Sequence, residues 1–171
     1  MQQQSEYRYL LKFLAASVIS FFIGSVHGVL QVIPPVRAWL DSIGSPYGGP
    51  GHMIDPLAHA HINLIGVTIL VMATTYYLLS KITGGVFHSK RWVDISFWLT
   101  TIGIYGFYTT LLIFGVWEGN ILLADLGQHV MDEVHKDATI FIVITSSVMG
   151  MGLWIFMANV LLTFRYTRQR S

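Results

Sequence analysis

The chain has 171 residues, 53% of them hydrophobic and only 11% charged, with a formal net charge of +1. A soluble domain carries about a quarter charged residues, so this composition excludes a water-exposed globule, a charge-rich disordered chain and a basic nucleic-acid binder. Cysteine is absent, which excludes disulfides, thiolate-held iron–sulfur clusters, covalent c-type heme and cysteine nucleophiles; what remains is a membrane protein whose chemistry falls to seven histidines.

A membrane-crossing helix needs about 20 mostly apolar residues. In chain order, charge-free runs at 13–36, 56–80, 95–117 and 138–164 meet that length. They predict a single all-α transmembrane domain over 1–171, with four spans near 10–33, 57–80, 92–116 and 136–164. Arg8 and Lys12 precede the first run as in a signal peptide. The run is too long for a signal h-region and lacks a small-residue cleavage site, so a retained span is expected. Pro34-Pro35 and Ser45-Pro-Tyr-Gly-Gly-Pro-Gly51 in the first outer loop read as ordered turns rather than helix or strand. The second outer segment, 118–137, has helix-compatible composition and extends the fourth span outward. Short connections favour an up-down-up-down bundle.

Basic residues set the orientation. Eight of the ten lie at the N-terminus (Arg8, Lys12), between spans 2 and 3 (Lys81, Lys90, Arg91) or at the C-terminus (Arg165, Arg168, Arg170); Arg37 and Lys136 are the exceptions. Both termini are therefore expected in the cytoplasm, in an integral protein of a bacterial inner membrane. The outer loops hold Asp41, Asp55, Glu118, Asp125, Asp132, Glu133 and Asp137.

Six histidines fall in or beside the outer half: His27, His52, His59, His61, His129 and His135. His27, between Gly24 and Gly28, lies about 9 Å inside the first span, where an ionisable group is costly and marks a functional candidate. It reads either as a metal ligand, with the glycines admitting a flat macrocycle, or as a neutral imidazole bonded to a neighbouring helix across a small-residue packing face. His59 and His61 are about 200° apart on a helix and cannot both face one site. His61, about 7 Å deep, matches the level of His27 and is the better axial partner; His59 is the weaker candidate. His129 with Glu133, and His135 with Asp132, have helical spacing for a metal or for plain surface pairs. Arg37 is the better candidate to hold a heme propionate, because guanidinium matches carboxylate geometry; His52 is the lesser one. His88, beside Lys90 and Arg91, reads as a solvated loop residue.

The stretch from Phe21-Phe-Ile-Gly-Ser-Val-His-Gly28 to His59-Ala-His-Ile-Asn-Leu-Ile-Gly66 resembles the first two helices of the catalytic subunit of heme–copper oxidases, especially the nitric oxide reductase-like branch. The resemblance implies that His61, followed by Asn63 and Gly66, is an axial ligand of a low-spin heme b. Family members have about a dozen helices, and those that carry the other low-spin ligand and the binuclear site have no counterpart in four spans. Oxygen or nitric oxide reduction is therefore not expected.

These readings converge on a b-type cytochrome-like electron-transfer subunit. It would hold one heme b, or two, near the outer face on His61 and His27, and exchange electrons with a quinone or a c-type cytochrome. The second axial ligand could also come from another subunit. The alternatives are a non-redox accessory subunit, and an outer-face metal site built from His59, His129, Glu133 and His135. Lipid, other membrane subunits or a second copy are the remaining expected partners.

Overall fold

The computed structural model describes residues 8–169. A single turn over Arg8–Leu10 leads into helix α1 (Leu11–Val32). Pro34 then stops one helix and starts another: Ile33 before it is extended (φ −66°, ψ 126°), and the Pro pair occupies the first positions of α2 (Pro34–Ser42). The loop after the first span is thus partly helical where turns were expected. Short turns at Ser45–Tyr47 and Pro50–His52 and a wide turn over Met53–Ala58 lead to α3 (His59–Thr83). Asp55, preceding Pro56, breaks the wide turn with extended dihedrals (φ −131°, ψ 113°). Helices α4 (Lys90–Leu123) and α5 (Gln128–Arg168) complete the chain. Of the 118–137 segment expected to extend the fourth span, 128–137 does so in α5, whereas 118–123 ends α4 and 124–127 breaks between the two.

Four helical stretches, Arg8–Val32, Pro50–Thr83, Lys90–Leu123 and Gln128–Arg168, are long and apolar enough to cross a membrane. The described residues form no strand. Exposed side chains such as Phe22, Ile102 and Leu161, each at least 60% accessible, suit lipid rather than water.

Two close helix pairs organise the molecule, each through small residues. Along α1 and α3, Ser17 Oγ donates to Gly66 O at 2.8 Å. Along α4 and α5, a Cβ placed on Gly103 would lie 2.4 Å from Met149 N, one on Gly106 2.9 Å from Thr145 Cγ2, and one on Gly152 2.4 Å from Thr100 Oγ1. Without a hydrophobic drive between helices in lipid, such close backbone approach supplies the packing. Aromatic rings then join the pairs: Phe13 contacts Tyr76 and Phe97 with centroids at 5.9 and 4.7 Å, and Tyr76 meets Phe156 at 5.2 Å.

The start of α1, the 84–89 connection and the C-terminal half of α5 meet at one end, here the terminal end. Lys12 pairs with Asp94, and the backbone N–H groups of His88 and Ser89 donate to Thr163 Oγ1 and Asn159 Oδ1. Asn159 is fully buried and also donates to Ser89 O at 3.1 Å. At the opposite, loop end, Leu40, Ile43 and Ile54 form a small core with Leu112. There Gly119 admits Ile43 and Gly115 admits Ile54.

Candidate functional site

His27 lies in the α1–α3 seam, 8% exposed. Both ring nitrogens are engaged: Nε2 is 3.0 Å from Gln31 Nε2, one turn along the same helix, and Nδ1 is 3.2 Å from the Tyr108 hydroxyl on α4. Gln31 Nε2 also donates to Ile54 O at 3.3 Å. With both nitrogens bonded, His27 has the partners that the buried-histidine alternative expects.

The imidazole opposite His27 belongs to His59, not to His61. Their ring centroids are 5.6 Å apart, and a Cβ on Gly28 would fall 2.9 Å from His59 Nε2. One turn deeper, a Cβ on Gly24 would fall 2.2 Å from Asn63 Oδ1. The small residues of α1 therefore admit polar side chains of α3 rather than a macrocycle. Positions 59, 63 and 66 face α1, which turns position 61 to another side of α3. His27 therefore faces His59, where the expected pair was His27 with His61.

His61 faces α4, where its ring lies 4.8 Å from that of Phe107. Its Nδ1 is 2.8 Å from Leu57 O. A carbonyl only accepts, so Nδ1 carries the proton and Nε2 keeps its lone pair. That nitrogen makes no hydrogen bond among the described residues. A metal-binding imidazole needs this arrangement, with the second nitrogen fixed by a carbonyl or carboxylate. His61 keeps one ring nitrogen open, whereas both nitrogens of His27 are engaged.

The remaining candidates lie apart from one another. Arg37 donates to Asp41 at 2.6 Å and pairs with Asp55. These bonds, first to Asp41 and then to Asp55, push the guanidinium further above its usual range. Its fork is thus engaged within the loop by the carboxylates of Asp41 and Asp55. His52 Nδ1 donates to Ser45 O at 3.2 Å. His129 and Glu133 form an exposed pair at 3.6 Å. His135 Nδ1 is 3.1 Å from Oε1 of Glu118, a carboxylate whose side chain is only 6% exposed, while the imidazole itself is 62% exposed. With His59 on the α1 seam, the set His59, His129, Glu133 and His135 is spread over three places. Among the described residues no three His, Cys, Asp or Glu side chains gather to hold a metal. His88 packs on Trp92 with centroids 5.4 Å apart.

Gln31 and Tyr108 did not stand out in the sequence. Gln31 had a readable signal, a polar residue four positions after His27 and so on the same helical face; Tyr108 had none beyond its place in an apolar run. Both border a groove of about 350 Å³ between α1, α2 and α4. Its walls include Phe22, Val26, Leu30, Trp39 and Leu112. No protein-family model, curated protein or solved structure matches this chain.

Proposed function

We propose that the protein is a membrane-embedded electron-transfer subunit that holds heme b through His61. In this reading the four spans run up-down-up-down with both termini in the cytoplasm, as the basic residues indicate, and His61 lies toward the outer face. The single observation that carries it is the His61 tautomer: Nδ1 held by Leu57 O, ring against Phe107, Nε2 open. Bound heme b would supply one-electron chemistry. The chain orients the ligating imidazole through a backbone carbonyl and shields it with an aromatic ring. The second axial ligand would come from another subunit or a second copy. His135 pairs with Glu118, eleven residues along α4 from the Phe107 that His61 packs against; that is about 16 Å, too far to share one iron. The resemblance of 21–28 and 59–66 to the oxidase helices supports the same ligand. Reduction of oxygen or nitric oxide is not part of the proposal, since copper beside a second heme needs its own nitrogen ligands.

A reduced-minus-oxidised spectrum of protein purified after heme-replete expression tests the reading. Split α/β bands of a b-type cytochrome are expected; a featureless spectrum would sink it.

A second reading, a non-redox accessory subunit, is favoured by α5. Only 6% of its most apolar stretch is buried, and Phe141, Ile144, Trp154 and Leu161 are each more than half exposed along its length. Such a face suits lipid or a neighbouring subunit. The same spectrum separates the two readings.

A further inference from the structure

The groove between α1, α2 and α4 has almost wholly apolar walls and is bordered by Tyr108 and Gln31, each left with one unused hydrogen-bonding function, and we propose that it binds a quinone. The proton positions follow from a single carbonyl. Ile54 O only accepts, so the Gln31 atom 3.3 Å from it is the amide nitrogen. That same nitrogen lies 3.0 Å from His27 Nε2, which must therefore accept, placing the ring proton on Nδ1. Nδ1–H then donates to the Tyr108 oxygen at 3.2 Å. The phenolic proton of Tyr108 is left without an acceptor, and Gln31 Oε1 without a donor, among the described residues.

Both groups belong to residues that line the groove. Its volume of about 350 Å³ falls within the range of small-molecule sites. Its mouth is flanked by Phe22, Val26 and Leu30, which are 68%, 43% and 47% exposed, so a ligand would enter sideways from lipid. His27 lies about 8 Å below the end of α1, within reach of a ring whose tail stays in the bilayer. An acyl chain would fill the groove but leave both polar groups unmet, at the usual desolvation cost. A quinone carbonyl accepts the Tyr108 proton, and the hydroxyl of its quinol form donates to Gln31 Oε1. The flat ring packs against Trp39 and the apolar walls. The inference names the lipid-soluble partner of the electron-transfer reading, and it rests on that reading only for where an electron would go; binding needs no heme.

The test is equilibrium binding of decylubiquinone, ¹³C-labelled at the ring carbonyls, to the full chain in nanodiscs, with infrared detection of the carbonyl stretch. Saturable binding with a downshifted carbonyl band is expected. Tyr108→Phe should abolish the downshift and weaken binding roughly tenfold, the scale of one hydrogen bond in an apolar site. Val26→Trp should block the groove and abolish binding with helix content unchanged. Absence of saturable binding to the wild type would overturn the proposal, as would both variants binding like the wild type. So would a tightly held phospholipid, lost in Val26→Trp, that decylubiquinone fails to displace. Heme without quinone binding contradicts this site alone; quinone binding without heme contradicts the electron-transfer reading and leaves the site standing.

Discussion

An imidazole in hydrocarbon is tolerated when its N–H has an acceptor and its lone pair a donor. His27 meets both conditions through Tyr108 and Gln31, which ties α1 to α4 and, through Ile54 O, to the turn before α3. With both nitrogens so engaged, its removal should be felt in stability rather than in ligation. His27→Ala strands the Gln31 amide and the Tyr108 hydroxyl, and should cost about 1–3 kcal/mol. Unfolding in mixed micelles, followed by circular dichroism, reads this directly, with heme content essentially unchanged. Wild-type stability with lost heme would instead make His27 a ligand. At Gly24 the neighbour is the end of the Asn63 side chain, so Gly24→Ala should cost less, because a side chain can rotate where backbone cannot.

At the scale of elements, the α4–α5 pair depends on backbone contact. A Cβ on Gly103 would sit 2.4 Å from the Met149 nitrogen, whereas one on Gly150 meets nothing within 4 Å. Gly103→Ala should therefore push the helices apart and lower the thermal midpoint by several degrees. Gly150→Ala should be neutral or slightly stabilising, since Ala is up to about 1 kcal/mol the better helix former. Equal effects of the two substitutions would refute the close seam. Asn159 acts on a different element: it holds Ser89 at both its N–H and its carbonyl. Asn159→Leu should leave α5 helical but speed hydrogen exchange of the 84–89 amides; unchanged protection there would contradict the hook. The four long helices were legible because charge-free runs of about 20 residues have few other fates. Helix α2 was hidden because Pro-Pro signals a break and a helix start alike. The side of α3 on which each histidine falls was hidden for a related reason. Pro56 and the wide turn at Met53–Ala58 shift the rotational start of α3, and a count inward from Pro56 measures depth but not direction.

For the molecule as a whole, the terminal end holds the start of α1, the 84–89 connection and the C-terminal half of α5, and the loop end holds α2 and the Glu118–His135 pair. The chain lacks cysteine, so single cysteines report sidedness cleanly. Tyr47 is 91% exposed at the loop end, and Lys90 is exposed at the terminal end. An impermeant thiol reagent on intact cells should label Tyr47→Cys and spare Lys90→Cys; the reverse pattern would invert the proposed orientation. What could be foreseen of the candidate site was residue type: histidines inside apolar runs stand out because they are costly there. Partner choice could not be foreseen, because Tyr108, Leu57 and Ile54 meet the imidazoles only after helices and turns are placed.

The ligand assignment is most directly tested by heme content and spin state in His61→Ala beside the wild type, by pyridine hemochromogen assay and electron paramagnetic resonance on protein with equal helix content. Wild type should carry low-spin heme b, and His61→Ala should lose most of its heme or keep only a high-spin remnant, because no other described imidazole combines a carbonyl-fixed Nδ1 with a ring packed against α4. A His61→Ala variant that retains a full complement of low-spin heme would contradict the assignment.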